Sequence, residues 1–241
     1  QWGVLSLAYP EVRDYLCEQF VKLLEGYDFD GLFLCLRSQS KPADFADEFG
    51  FNEPVRTEYL SRYGEDIWTE DFNIDLWRDL QGEYLTLFMA QLRDVTRSSG
   101  HELSIGCPRG DIIGQPLGNA TLQWREWVDR DLVDSLVINQ SSAQCPSMWI
   151  QLWPMHRGSG YTQDYVSGQN MLPLNQQLTD EYGPSLVGKS TDLYVARQWS
   201  DPSPSEEQNL LEHPAVTGLV YSSFRYDNAE RIAAHQGDWI L

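Results

Sequence analysis

The chain contains five near-continuous apolar runs, each of strand length. They are GLFLCLR (31–37), ELSIGC (102–107), DSLVINQ (134–140), DLYVARQW (192–199) and GLVYSSF (218–224). Apolar residues at consecutive positions are typical of strands buried on both faces, which occur in parallel sheets covered by helices. The opening GVLSLAY (3–9) is a candidate for a sixth strand, cut short by Pro10.

Helical patterns separate these runs. Apolar residues fall on one face from Pro10 to Gly26, and proline suits a helix start as glycine suits a helix end. A longer pattern of this kind runs from 73 to 100, and TLQWREWVDRDLV (121–133) and EEQNLLEH (206–213) predict shorter helices. Strands that alternate with helices predict an α/β fold in which the helices cover the outer face of a parallel sheet.

The 241 residues suit one large domain, and a (β/α)8 barrel takes ~250 residues. We therefore predict a single TIM-like barrel domain over 1–241, with loop insertions near 38–73 and 141–191. These two segments are rich in Trp, Tyr, Gly and Pro and poor in periodicity. Long connections after the carboxyl ends of strands usually build binding sites.

The formal net charge is -19, from 17 basic and 36 acidic residues, which argues against nucleic acid and anionic membrane surfaces as partners. No apolar run approaches the ~20 residues that span a bilayer, so no membrane insertion is predicted. The sequence has no HExxH, GxGxxG or P-loop motif and no ligand spacing for a metal, and we expect neither a cofactor nor a metal. It does not indicate an oligomeric state.

Two stretches carry a resemblance to a known family. YPEVRDYL (9–16) followed by YDFDGLFL (27–34), and FGFNEPVRTEYLSRYG (49–64) with the helix after it, are similar to the family-ten-like glycoside hydrolases of bacteria. The resemblance implies a TIM barrel that acts on a polysaccharide or oligosaccharide, with this chain running from about the third strand to the eighth. We expect a secreted or periplasmic protein, although no signal peptide is visible in the sequence.

The sequence departs from the family at the first apolar run. The family strand usually ends with an acidic residue, whereas GLFLCLRSQS ends with Arg37, Ser38 and Gln39. Glycosidases generally use two carboxylates across the scissile bond, which in a barrel lie at the carboxyl ends of strands. The departure therefore moves the search for the acid and the base to later strands.

Asp111 and Asp227 are the preferred catalytic carboxylates. Asp111 follows the second run and neighbours Arg109, whose charge would keep it ionised, while Asp227 lies just beyond the last run. Asp111 is equally suited to a turn after Gly110, and Asp227 to the start of a helix. Four further acids are weaker candidates, because a loop or solvated position is the simpler interpretation for each of them. They are Asp201, Asp47, Glu48 and Glu53.

Substrate-binding candidates are polar and aromatic residues at the predicted strand ends and in the second long loop. Arginines bind carboxylates and sulfates with two hydrogen bonds, so several of them at one barrel mouth favour an anionic sugar, unless each pairs with a neighbouring acid. Aromatic rings stack on sugar faces, but they also pack into lids without a ligand. The candidates are Arg37, Gln39, Arg109, Asn139, Trp153, His156, Arg157, Tyr161, Arg197, Trp199 and Arg225.

The sequence thus predicts a glycoside hydrolase whose partner is a carbohydrate. The alternative is a carbohydrate-binding barrel without catalysis, which the missing acid after GLFLCL supports. A catalyst needs two carboxyl groups roughly 5 to 10 Å apart across one cleft, and a binding protein does not.

Overall fold

The computed structural model of the protein describes residues 5–36, 50–69, 71–107, 112–113, 120–138, 173–198 and 204–222. Its strands are β1 (Gly31–Cys35), β2 (Glu102–Gly106), β3 (Ile112–Ile113), β4 (Ala120–Thr121), β5 (Ser135–Ile138), β6 (Asp192–Gln198) and β7 (Gly218–Ser222). Five of them form one sheet in the order β1-β2-β5-β6-β7, while β3 and β4 form a separate antiparallel pair. Every neighbouring pair in the larger sheet is parallel.

Helix α1 precedes β1, and the other helices lie between strands in sequence. They are α1 (Pro10–Gly26), α2 (Glu53–Tyr63), α3 (Ile74–Ser99), α4 (Trp124–Asp129), α5 (Leu174–Gln177), a π-helical turn (Leu178–Tyr182), α6 (Gly183–Leu186) and α7 (Pro204–Leu211). None of the helices among the described residues is both long enough and apolar enough to cross a bilayer.

The predicted α/β class and all five apolar strands are confirmed, as are the helices that begin at Pro10 and near 73. The predicted sixth strand is wrong over its described part, because 5–9 forms a turn that leads into α1. The long loops also contain helices that we did not predict. Asn52 caps α2 by accepting a hydrogen bond from the Val55 N–H, and the polar, aromatic sequence of that helix hid its periodicity.

The strands are staggered in a regular way. The first residues of β1 and β2 pair with each other, as do those of β5 and β6. By contrast, β5 begins opposite Ser104, the third residue of β2, and β7 begins opposite Tyr194, the third residue of β6. From β1 to β7, the first residue of the strand is therefore displaced along the strand direction by four residues in total. Over the four pairings this is an average of one residue per strand.

Alternate strand residues point to the two faces of the sheet. One face packs on the helices through Leu32, Ile105, Leu136 and Val195, which join α1, α3 and α4 in one apolar core. The opposite face carries Phe33, Ser104, Ser135, Val137, Tyr194 and Ala196. Each of these residues either pairs with another of them on the neighbouring strand or lies two positions along the same strand from one that does, and both relationships place side chains on the same face.

Helix α3 extends well past the sheet. Its C-terminal residue, Ser99, precedes the start of β2 by three residues, so the N-terminal half of α3 lies toward the carboxyl ends of the strands. The helix has 26 residues and is about 39 Å long, whereas the five residues of β1 span only about 17 Å. The first turns of α3 therefore stand beyond the carboxyl end of the sheet.

A second, smaller core surrounds these turns. We call residues 50–69 and 71–73 the α2 unit. Its side chains pack with those of α3 around Val55, Tyr59 and Trp77, all fully buried. Gly50 anchors the start of the unit, because its carbonyl accepts hydrogen bonds from the Trp77 and Gln81 side chains. The α2 unit thus occupies the side of the protein to which the strands point.

Candidate active site

The carboxyl end of the parallel sheet is the place where a barrel builds its active site. Of the residues predicted for that site, only Arg197 is among the described residues. The others lie outside them: Arg37, Gln39, Arg109, Asp111, Asn139, Trp153, His156, Arg157, Tyr161, Trp199, Arg225 and Asp227. Their positions in sequence still relate them to strands, because Asp111 follows the last residue of β2 by five positions and Asp227 follows that of β7 by five.

The described strands bring no acid to their carboxyl ends. Within these strands, acidic residues occur only as Glu102 and Asp192, the first residues of β2 and β6, at the opposite end of the sheet. Asp192 accepts a hydrogen bond from the Thr217 hydroxyl there. A carboxylate pair at the carboxyl end would therefore come from the segments that follow the strands.

Arg197 lies on the face that packs against the helices, two residues from the core residue Val195. Its two terminal nitrogens donate to the two carboxylate oxygens of Glu206 in α7, at 3.1 and 2.9 Å. The side chain is 9% exposed. The structure thus directs Arg197 toward α7 and away from the face opposite the helices. The Glu206 carboxylate already accepts hydrogen bonds from both terminal nitrogens of the Arg197 guanidinium.

Arg197 belongs to a buried group of ionisable side chains. Glu207 is 5% exposed and places an oxygen 3.9 Å from the Arg197 Nε. Tyr221 pairs with Arg197 across β6 and β7. Burial, and then the hydrogen bond to Glu207, raise the pKa of the Tyr221 hydroxyl, so it stays protonated and serves as a donor. These contacts fasten α7 to the last two strands.

On the face away from the helices, the side chains change from polar to apolar along the strands toward their carboxyl ends. The Ser104 and Ser135 hydroxyls are hydrogen-bonded at 2.7 Å, while Val137 and Ala196 are buried nearer the carboxyl end. Phe33 on β1 is 50% exposed. This face offers hydrophobic contact and hydroxyl groups, and its described strand residues hold no charged group near the carboxyl end.

Glu53, one of the weaker acid candidates, is the first residue of α2. Its carboxylate lies 3.7 Å from the Arg56 guanidinium, its side chain is exposed, and it accepts a hydrogen bond from Thr57. This is the solvated position that the simpler interpretation of the sequence predicted. Asp47, Glu48 and Asp201 lie outside the described residues.

Sequence reasoning missed the ordered aromatic surface of the α2 unit. Trp68 donates its indole N–H to the Phe51 carbonyl at 2.8 Å, and the Arg56 guanidinium stacks 4.2 Å from its ring centroid. Asn52 followed by Pro54 was the available signal for the helix that carries Arg56, since a capping residue and a proline mark a helix start. Nothing in the sequence indicated the stacking, which depends on a turn after the helix.

Metal binding has no support in the described part of the chain, where no group of three or more His, Cys, Asp or Glu side chains is arranged to hold an ion.

Comparisons with known proteins give a likeness of fold. No family model matches the sequence, and no curated protein matches it. Among solved structures, the chain is similar to the PgaB (BpsB) glycoside hydrolase domain from Bordetella bronchiseptica, with 15% sequence identity and a TM-score of 0.51. The match covers 97% of this chain and 65% of the Bordetella chain, so this chain spans less than two thirds of that domain's length. The likeness supports a glycoside-hydrolase-like fold.

Proposed function

We propose that the protein is a glycoside hydrolase that acts on a polysaccharide or oligosaccharide at the carboxyl end of its parallel sheet. The observation that carries this proposal is the likeness of fold to a glycoside hydrolase domain over 97% of the chain. The residues quoted for the sequence resemblance support the same class of enzyme.

The sheet topology supports a barrel. The five strands are parallel and adjacent in sequence order, without the reversal that divides a doubly wound sheet. An eight-stranded barrel with a shear of eight advances by one residue per strand, which is the mean stagger of the four pairings from β1 to β7. We propose that these strands are consecutive members of such a barrel, with the face opposite the helices as its interior.

In the proposed barrel, Asp111 and Asp227 both follow strands at the carboxyl end, where the mouth lies. They follow β2 and β7, which are three positions apart in the sheet. In a closed barrel of eight strands, two ends that are three strands apart lie across the mouth from each other, one strand short of directly opposite. We propose one of these residues as the general acid and the other as the nucleophile or base.

The remaining sugar-binding residues are proposals from the sequence. Trp153, Trp199 and Tyr161 supply stacking surfaces, and His156, Arg157, Gln39 and Asn139 supply hydrogen bonds. Arg37, Arg109 and Arg225 stay as candidates for an anionic group, but Arg197 leaves this set because Glu206 and α7 hold it on the other face. One fewer arginine is therefore proposed to bind an anionic group of the substrate.

The test is to replace each carboxylate with its amide. Asp111→Asn and Asp227→Asn should each lower turnover of a substrate oligosaccharide by at least about a thousandfold, because each removes a proton donor or a nucleophile without changing side-chain size. Circular dichroism and urea unfolding should match those of the native protein. Asp129→Asn serves as the control, with turnover unchanged, because Asp129 is exposed at the end of α4. Full activity in both amide variants would contradict the assignment.

A non-catalytic carbohydrate-binding barrel is the second candidate. The observation that favours it is the lack of any acid near the carboxyl ends of the described strands, together with Arg37 where the resembling family has an acid. Oligosaccharide binding without product formation, unchanged in both amide variants, would establish this candidate in place of the hydrolase.

A further inference from the structure

Trp68 is a large aromatic side chain held rigidly at the surface. It is 51% exposed, whereas Tyr59 of the same α2 unit is fully buried and Phe51, Tyr63 and Phe72 are half-buried. The half of this side chain that stays in water does not contribute to folding through burial. Its fixed position therefore calls for another explanation.

Two contacts hold this side chain, and a third holds its backbone. The indole N–H donates to the Phe51 carbonyl, the backbone N–H donates to the Asp66 carboxylate at 3.0 Å, and the Arg56 guanidinium covers one face of the ring. Arg56 is itself held by Asp66, to which its Nε donates at 2.8 Å. The ring thus has one face on a supported guanidinium, and no other aromatic ring among the described residues stacks on it.

The electrostatics of this surface disfavour an anion. The hydrogen bonds from Arg56 and from the Trp68 backbone N–H lower the pKa of Asp66 to about 2, so this carboxylate is charged at neutral pH. Glu53 lies on the other side of the same guanidinium. Among the described residues, the Arg56 charge against the ring therefore faces two carboxylates, and these compete with any sulfate or uronic acid for its guanidinium.

The position of the surface is related to the strands. The α2 unit packs on the first turns of α3, which stand beyond the carboxyl end of the sheet, and Asn52 of the unit donates to Ser6, just ahead of α1. Trp68 therefore lies on the side of the protein where a barrel receives its substrate.

We propose that Trp68 is an accessory binding platform for an uncharged pyranose ring of a carbohydrate chain. A ring face held in place before binding stacks on the apolar face of a sugar with little loss of conformational freedom, which is how rigid aromatic residues gain affinity. The inference builds on the proposed function only in its choice of ligand class. It concerns binding, not bond cleavage.

The test measures binding by NMR and calorimetry with neutral hexasaccharides of glucan, mannan and xylan. The indole N–H signal of Trp68 is the one among nine tryptophans that disappears in Trp68→Leu. A neutral hexasaccharide should shift this signal, and Trp68→Leu should weaken its binding by on the order of tenfold, a loss equivalent to ~1.4 kcal/mol of stacking. Hexagalacturonate should shift the Trp68 signal less than the neutral chains do.

Two further variants separate stacking from folding. Trp68→Phe keeps an aromatic face and should bind between the native protein and Trp68→Leu, which keeps apolar volume without a ring. Tyr27→Leu is the matched control, because Tyr27 is 63% exposed and stacks on Phe29, but it precedes β1 at the amino end of the sheet. Its replacement should leave binding unchanged.

The outcomes distinguish this inference from the hydrolase proposal. If no neutral hexasaccharide shifts the Trp68 signal at millimolar concentration, or if Trp68→Leu and Trp68→Phe bind as the native protein does, the platform is refuted even when hydrolysis is found. Binding that depends on Trp68 in a protein without hydrolytic activity would uphold the platform and reject the hydrolase.

Discussion

Asp134 and Arg93 form a bidentate ion pair that fastens α3 to the sheet. The Arg93 Nη2 donates to one carboxylate oxygen at 2.7 Å, and Nη1 donates to the other. The second oxygen also accepts the backbone N–H of Leu103 in β2 at 2.7 Å. One carboxylate just ahead of β5 therefore connects a helix, its own strand and the neighbouring strand.

Replacing this carboxylate should destabilise the fold. Asp134→Asn leaves the Arg93 guanidinium, which is 9% exposed, without its ionic partner, and we expect a loss of about 2 to 4 kcal/mol in the free energy of unfolding. Urea unfolding measures it. The control is Glu126→Gln, whose pair with Arg130 is exposed on both sides and should contribute less than about 1 kcal/mol. Equal effects of the two changes would show that burial of the pair is unimportant.

The same pair predicts a pH dependence of stability. Burial raises the pKa of the Asp134 carboxyl, but the hydrogen bonds from Arg93 and Leu103 outweigh burial and leave the pKa below its ordinary value of 3.8. A carboxyl with a lowered folded-state pKa stabilises the protein above that ordinary value, and the contribution is lost as the pH falls through the folded pKa. Urea unfolding between about pH 6 and about pH 3 should show a smaller acid loss for Asp134→Asn than for the native protein. Parallel pH curves would contradict this.

Gly82 should resist replacement although it lies inside a helix. A Cβ at this position would lie 2.3 Å from the Thr121 carbonyl oxygen, because β4 crosses α3 there. Gly82→Ala gains about 1 kcal/mol of helix propensity, but we expect a net loss of about 1 to 3 kcal/mol from the displaced backbone.

Gly26 provides the matched control for this substitution. It is the last residue of α1, and a Cβ there would meet nothing within 4 Å. Gly26→Ala should therefore be neutral or stabilising by up to about 1 kcal/mol. Thermal unfolding of both variants measures the contrast, and a Gly82→Ala protein as stable as Gly26→Ala would mean that the crossing of β4 and α3 relaxes freely.

Arg197 should affect stability and not sugar binding. Arg197→Gln leaves Glu207 buried beside an uncharged side chain and loses both ionic bonds to Glu206, so we expect about 2 to 4 kcal/mol of destabilisation. Glu206→Gln should cost less, because Glu206 is 44% exposed. Calorimetric binding of oligosaccharide to the folded fraction should match that of the native protein, and a lost preference for anionic sugars would restore Arg197 to the binding site.

The sequence by itself determined the α/β class, the five parallel strands and the two long helices α1 and α3. Strands buried on both faces leave apolar runs, and helices with one buried face leave a regular spacing, so both are visible in a local window. Helix α2 was missed because its polar and aromatic sequence shows no clear apolar periodicity. Its buried residues, Val55 and Tyr59, pack with α3, and no local pattern records that contact.

Only the tertiary structure decided which face each strand residue occupies and which groups meet. Arg197 lies near the carboxyl end of an apolar run, as Arg37 does, but the pairing of β6 with its neighbours places it toward α7, where Glu206 lies within hydrogen-bonding distance. Trp68 belongs to a stretch that resembled an irregular loop, yet long-range contacts with Arg56 and Phe51 make it a fixed surface. The physical reason is the same in both cases: a residue's spacing in sequence sets its local conformation, whereas its charge partners and exposure depend on segments that only folding brings together.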